Sequence, residues 1–433
     1  MSTPVMQVLV GFQTTTGFGQ PFLLDNAVSG VLDTAGRGTL GGLTFADLTS
    51  IVESVNINRG RNRQLDQFNA GTATITFDNS SRILDPLNVS SIYYPYVLPR
   101  CPVQILANGV PIYTGLITDW NVDYDLANDD KMFAACSDQF TVLSNQALNA
   151  VTPAAETSSA RVNTVLNLPE INYQGSRSIG TGSSTLGAYD IAQDTNVLNY
   201  LQTVTTSEQG FLYMSAGGVL TFKGRSAVLN PVAGAQFSYD SSGIRYSTLL
   251  NQFGDELLYN YIVTQSPAGA KQTATDTTSV AQYQNQQYSL LDLLNSTTAE
   301  VASLGEYLLG KYKQPVIRFT GLSAQMSAMT DAQQATCLGL DLTSVCSVSK
   351  NFVTGSPSTA TQTLIVSGIN HSISPGSHII SYTFESTDGN QYFTLDDSVF
   401  GRLAGTSLYN DPIMYNQPEL IYDNSFVGSL LGF

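Results

Sequence analysis

Apolar and polar residues alternate strictly through Thr72-Ala73-Thr74-Ile75-Thr76-Phe77, the period of two of a strand with one buried face. Gly71 opens this segment, and the turn-forming side chains Asp78-Asn79-Ser80-Ser81 close it. Asp85-Pro86 then predicts an extended bend. Residues 51–58 alternate in the same way, and residues 6–11 read as a first strand. Asn108-Gly109 separates two apolar runs within 102–124 and predicts a tight hairpin, with 131–145 following as a further strand. Together these segments predict an antiparallel meander of about six strands, while 22–52 reads as Gly-rich and irregular.

The periodicity changes at residues 194–209. Val197, Leu201 and Val204 share one helical face, Asp194 or Thr195 can cap the N-terminus, and Gly210 stops the helix. A hairpin with a Gly-Gly turn follows over 211–225. Val301, Leu304, Leu308 and Tyr312 form a second stripe, so 297–313 reads as a helix that Pro315 ends. Residues 316–326, 342–349, 362–369 and 378–385 read as strands, with His371 to Gly376 as the last turn. Residues 175–187 are rich in Gly and Ser and predict an exposed loop.

Composition narrows the class. The 433 residues exceed one core, so about two to four domains are expected. Only 12% of residues are charged, and Thr, Ser, Asn, Gln, Tyr and Gly fill the polar positions, as suits β-structure covered by other subunits. The net charge is −16, opposite to the basic clustering that nucleic-acid binding requires. Acidity has two readings: a channel wall that repels phosphate, or ordinary solubility.

The common catalytic and metal-binding motifs do not stand out along the chain. Cys101, Cys136, Cys337 and Cys346 form no CxxC pair, and with only His371 and His378 beside them they read as buried, reduced thiols. No G-x-S-x-G, P-loop or HExxH occurs. His371 reads as a hydrogen-bonded or exposed turn residue rather than a catalytic base. Glu53, Asp66, Glu208 and Glu385 read as strand, turn or helix-end residues. No catalytic residue, cofactor or metal is therefore expected. The N-terminus lacks a basic region followed by an apolar run, and no window approaches the roughly 18 apolar residues of a membrane span, so neither a signal peptide nor a spanning helix is expected.

The order of these parts resembles one family. Arg59-Gly60-Arg61, Asp66, the segment Ala70–Asn79 and Leu84-Asp85-Pro86 come first, followed by Gly115-Leu116-Ile117-Thr118-Asp119-Trp120 and by Cys136-Ser137-Asp138 before an apolar helix start. A second block is carried by Glu208, Gly210, Leu212, Tyr213, Gly218, Leu220, Phe222 and Arg225. Asp276, Ser279 and Tyr283, then Tyr312, Pro315 and Arg318, make the third. Val366, Gly368, Ile369, His371, Ile373 and Pro375 close the pattern. Over about residues 50–390 the chain thus resembles the siphophage tail-tip hub proteins, or minor tail proteins, of the baseplate-hub-like family.

That resemblance implies a mainly β chain with α+β insertions and two tail-tube-like β-barrel domains. The barrels would occupy 1–145 and 240–390, the latter with helix 297–313, around an inserted domain at 146–239, and a C-terminal arm would follow at 391–433. It implies a structural virion protein at the distal end of the tail, assembled in the host cytoplasm. A homotrimer would form a ring that continues the tail tube, adapts tube symmetry to the tip and lets DNA pass. Its partners would be itself, a distal tail or tail-tube protein, and a tip fibre or spike, with no sequence-specific nucleic-acid binding. The alternatives are a hexameric distal tail protein and a receptor- or carbohydrate-binding module.

Interface candidates come from two patterns. Arg59, Arg61 and Arg63 form the densest basic cluster, readable as a contact with an acidic neighbour or as a solvated turn. Residues 22–32 and 393–403 share F-x-L-D-x-x-V-x-G-x-L, which marks Phe22, Asp25, Phe393 and Asp396 as arms that clasp neighbouring subunits, unless the echo is chance. The chain ends in the apolar Val427-Gly428-Ser429-Leu430-Leu431-Gly432-Phe433, which suits docking on a partner.

Overall fold

The computed structural model describes residues 2–14, 42–126, 129–228, 233–240, 243–267 and 269–387. Phe22, Asp25, Phe393 and Asp396, and the arms proposed around them, lie outside the described residues.

The N-terminal region carries seven strands: β1 (Met6–Thr14), β2 (Gly42–Asp47), β3 (Val52–Gly60), β4 (Asn69–Asp78), β5 (Cys101–Ala107), β6 (Val110–Asp123) and β7 (Lys131–Ser137). The short helix α1 (Phe140–Ser144) follows, started by Asp138, whose carboxylate accepts from the Phe140 amide at 2.9 Å. Asn108 (φ 49°) and Gly109 (φ 75°) both take left-handed backbone, the paired conformation that a two-residue hairpin turn requires. Residues 42–47, within the stretch read as irregular, form β2 antiparallel to β1.

The pairing is not a meander. The order is β3-β4-β7-β6-β5-β1-β2, so β4 lies beside β7 rather than the next strand in sequence. The long β4–β5 connection makes that possible. It is a stair of linked turns in which Arg82, Asp85, Asn88, Ser91 and Tyr94 each donate an amide to the carbonyl three residues earlier. Asp85, Asn88 and Ser91 repeat the bond with their side chains, accepting from Leu87, Ser90 and Tyr93. The extended bend expected at Asp85-Pro86 is therefore one step of a turn series.

The middle of the chain forms β8 (Ala147–Leu148), β9 (Glu156–Thr157), α2 (Ser158–Leu166), β10 (Arg177–Ile179), β11 (Thr185–Leu186), β12 (Thr195–Asn196), α3 (Val197–Glu208), β13 (Phe211–Met214) and β14 (Leu220–Lys223). Helix α3 starts three residues later than predicted, because Asn196 is the cap and accepts from Asn199 at 3.0 Å while Asp194 takes positive φ. Residues 175–187 are largely exposed, as expected, but they are not a plain loop. β10 pairs in parallel with β14, and Leu186 is fully buried. The buried carboxylate of Glu208 organises this stretch, accepting from the amides of Ser183 and Ser184 and from Ser158 Oγ at 2.8 Å.

The remaining elements are β15 (Ala235–Ser238), β16 (Thr248–Gln252), β17 (Tyr261–Thr264), β18 (Gln272–Thr275), α4 (Thr277–Tyr283), β19 (Gln287–Leu290), α5 (Thr298–Tyr312), β20 (Arg318–Gln325), α6 (Asp331–Gly339), β21 (Val345–Asn351), β22 (Thr359–Ser374) and β23 (Ser377–Ser386). Helix α6 was not expected, although Thr330 and Gln333 form a capping box at its start. His371 sits within β22 rather than in the turn.

The chain divides into two compact units, and within the described residues the smaller is 253–317 with 386–387. There β17 pairs antiparallel with β18 and parallel with β19, and α5 packs on that sheet. Gly305 permits the close approach: a Cβ there would meet Thr264 Oγ1 at 3.3 Å. Asp276 caps α4 and forms an ion pair with Lys313 at 3.0 Å.

The larger unit is built on one mainly antiparallel sheet of 13 strands. Its hydrogen-bonded order runs β16-β20-β23-β22-β3-β4-β7-β6-β5-β1-β2, with β21 and β15 branching from β22, and among the described residues it does not close on itself. β22 is shared between neighbours: Thr359–Ile365 pair with β21, whereas Gly368–Ile373 pair with β3. Gly60 lies at that junction with φ +106°, and a Cβ there would stand 2.2 Å from the Ser367 carbonyl, so the approach requires glycine. One sheet face packs the core, with Val55, Ile57, Ile75, Phe77, Met132, Leu322, Ala324, Ile380 and Tyr382 all essentially inaccessible.

Candidate functional site

The opposite face of the sheet is open and has unusual chemistry. On β3 the alternation that buries Val55 and Ile57 turns Ser54, Asn56 and Asn58 outward. The partner positions on β4 are Thr76, Thr74 and Thr72. They continue on β7 as Phe133, Ala135 and Ser137. In the other direction Asn58 and Asn56 face Asn370 and Ser372 of β22. Beyond them come Ile379, Ser381 and Thr383 of β23, then Gln325, Ser323 and Gly321 of β20, then Thr248 and Leu250 of β16. None of these side chains is charged.

Hydroxyls bond one another across the strands, as in Ser54 Oγ to Thr76 Oγ1 at 3.1 Å and Ser323 Oγ to Ser381 Oγ at 2.8 Å. Such a surface is wet, short-armed and neutral. Phosphate chains are held by Lys and Arg, so this face offers an acidic polymer no grip. Lys131, at one end of β7, is neutralised by Glu53 at 2.9 Å. On β6 the outward residues become acidic at Asp119 and Asp123. The face spans eight strands, four from the N-terminal region (β3, β4, β7, β6) and four from the C-terminal region (β22, β23, β20, β16), joined by the β3–β22 ladder.

The basic cluster lies elsewhere. Arg59 points from β3 into the core, where its guanidinium donates to Asp341 at 2.6 Å and to the Met214 carbonyl at 3.0 Å. Arg61 donates to Glu385 at 2.6 Å and to the Asp66 carbonyl at 2.8 Å, with its guanidinium 4.7 Å from the Phe68 ring centre. The acids that these two arginines meet thus belong to the same chain. Arg63 is exposed. Asp138 lies behind β4 and accepts from the Gly71 amide at 2.6 Å; burial raises its pKa to about 6, partly offset by these amides and by Arg59. These clamps bind segments 155 to 324 residues apart in sequence, and neither Asp341 nor Glu385 was singled out as a partner from the sequence.

His371 and His378 face each other with Nδ1 to Nε2 at 3.0 Å. Burial pushes both imidazoles down, His378 to about 4, and His371 further, with His378 adding to the effect. One ring donates and the other accepts, so the pair is a satisfied core contact. Among the described residues no group of three or more His, Cys, Asp or Glu is placed to hold a metal ion. All four cysteines are free and buried. Glu208 and Glu385 are buried and bonded within the fold, and Glu53 lies beside Lys131. No described helix is long and apolar enough to cross a membrane.

Comparison with known proteins gives the class. No family model matches the chain. No curated protein sequence matches it either. Solved structures do share the fold. The tail protein from Neisseria meningitidis MC58 aligns with a TM-score of 0.54 at 11% identity, covering 79% of this chain and 93% of its own. The 43 kDa tail protein of prophage MuSo2 from Shewanella oneidensis aligns with a TM-score of 0.52 at 11% identity, covering 90% of this chain and 98% of its own. The fold is one found in phage tail proteins, as the order of sequence blocks implied.

Proposed function

We propose that this chain is a structural tail-tip hub, a subunit of a ring that continues the tail tube and lets DNA pass. The observation that carries this is the eight-strand face, uncharged away from its β6 border and the Asp78–Lys131 end, to which the two ends of the chain contribute four strands each. A subunit with two equivalent wall segments makes a pseudo-sixfold ring from three copies. In that ring the walls belong to two tube-like barrels, 1–145 and 240–390, with 146–239 inserted between them and 391–433 as a C-terminal arm. The open face lines the lumen. One end docks on a distal tail or tail-tube ring, and the other presents threefold symmetry to a tip fibre or spike.

The work done is mechanical, and no residue is assigned to catalysis. DNA would slide over hydroxyls and amides without displacing counterions, because no lysine or arginine stands free on the face to bind phosphate. Neutrality therefore replaces the repulsive acidic wall as the reason that DNA does not stick; of the acids on the face, Asp119 and Asp123 sit at its β6 border. The mass of the purified protein in solution, measured by light scattering, tests the assembly. A value near three times 46.4 kDa is expected. A hexamer would instead support a distal-ring protein, and a strict monomer would remove the basis for a ring.

A further inference from the structure

The β4–β5 connection combines rigidity with exposed apolar surface. Its turn stair buries Leu84, Tyr93 and Val97, and Tyr93 stacks on Phe12 with ring centres 4.8 Å apart. The same stair holds Leu87, Val89, Ile92 and Leu98 outward, each more than half exposed. The stretch Pro86–Pro99 contains no charged residue, in a chain of net charge −16. Two bonds fix this platform along β6: Trp120 Nε1 donates to the Leu98 carbonyl at 2.9 Å and Tyr124 Oη to Asp85 at 3.2 Å. Trp120 lies beside the core residue Phe77, so the platform is anchored from the core side of the sheet, next to the β6 border of the open face. The opposite border is β16, where Leu250 is also more than half exposed and Arg245 stands just before the strand, exposed.

We propose that copies of this chain join head to tail, the 86–99 platform and β6 border of one copy seating against the β16 border of the next. The inference rests on the ring proposed above and names its contact. Three observations select a second copy as the occupant. Chains of like charge repel unless they meet through largely neutral surface, which the uncharged 86–99 platform supplies. Asp119 and Asp123 at one border complement Arg245 at the other, which fixes the polarity of the contact. A contact between two different borders is heterologous, the kind that makes a ring when its rotation closes, and such a ring would continue the open face around a lumen.

Two experiments on the full-length chain test this. Leu87→Glu, Ile92→Glu and Leu98→Glu together lie on exposed positions and leave the circular dichroism unchanged; they reduce the mass in solution from the trimer to a single 46.4 kDa chain. The pair Ile92→Cys with Thr248→Cys, treated with a bis-maleimide, gives a ladder ending at the trimer, while each single-cysteine chain gives none, the four native thiols being buried. A glutamate variant that stays trimeric overturns the contact and assigns the platform to another tail protein, while the hub proposal stands. Cross-linking by Ile92→Cys alone also overturns it, because like borders would then be meeting. A wild-type chain that is monomeric at every concentration overturns the ring itself, and this contact with it.

Discussion

Strand β3 puts two chemistries back to back. Its outward residues Ser54, Asn56 and Asn58 belong to a neutral, hydroxyl- and amide-covered face. Its inward residues Val55, Ile57 and Arg59 belong to a core fastened by ion pairs. The scarce charge of this chain is thus unevenly placed. Two of its 18 basic residues, Arg59 and Arg61, are used to hold distant segments together, and among the described residues the open face from β16 to β6 has none without an acidic neighbour. One side holds the fold together and the other faces solvent, so substitutions on the two sides are expected to have different consequences.

The largest effect is expected where a clamp loses one partner. Arg61→Met would leave Glu385 buried without its cation and cost about 3–5 kcal/mol, read as a fall in the urea midpoint at unchanged slope. Recovery of stability in Arg61→Met/Glu385→Gln would show that the unpaired carboxylate is the cause.

Acidification acts on the same side. His378, pushed down to about 4 by burial, binds its proton less tightly in the folded chain than in the unfolded one, so stability is full above about pH 6.5 and is lost as pH falls towards 4. His371 acts in the same direction. Asp138, raised to about 6, opposes them: its folded form retains a proton that the unfolded chain has released, so it gains stability as pH falls through that window and loses it as pH rises. With two imidazoles against one carboxyl, the net outcome is a loss of at most about 3 kcal/mol between pH 7 and 4.5. Urea melts across that range check it, and His378→Gln should flatten the decline.

Gly60→Ala is expected to cost about 1–3 kcal/mol, because a Cβ at φ +106° would also press on the Ser367 carbonyl. Its specific signature is faster amide exchange at Arg61, whose amide bonds that carbonyl at 2.8 Å. The smallest effect on stability belongs to the open face. Asn58→Lys with Ser381→Lys should shift stability by no more than about 1 kcal/mol, since Asn58 is exposed and the half-buried Ser381 loses one bond, to Ser323. If the proposed function holds, the same pair should convert a surface that does not retain DNA into one that retains duplex in a salt-dependent way, measurable by fluorescence anisotropy at low and moderate salt.

The comparison also explains what the sequence could reveal. Local signals were legible: the period-two runs of β3 and β4, the Asn108-Gly109 hairpin, and helices α3 and α5 with their apolar stripes. Neutrality of the open face was half legible, since Asn56, Asn58, Thr72 and Thr74 are the outward members of visible alternations. That β22, β23, β20 and β16 extend the same face could not be read, because strand pairing across hundreds of residues leaves no local trace. The clamps were hidden for the same reason, Arg59 and Asp341 being 282 residues apart. Residues 175–187 look like a loop by composition, and partners distant in sequence, the strand β14 and the Glu208 carboxylate, order them. Helix α6 did leave a signal, the spacing of Thr330 and Gln333 before an Ala- and Gln-rich run.

The central claim is that the neutral face lines a channel. Electron cryomicroscopy of the purified assembly, with a heavy-atom maleimide on Asn56→Cys, tests it directly. The account predicts three copies around one axis with all the labels facing a central opening. Labels on the outer rim, or a ring whose opening is lined by other elements, would contradict it.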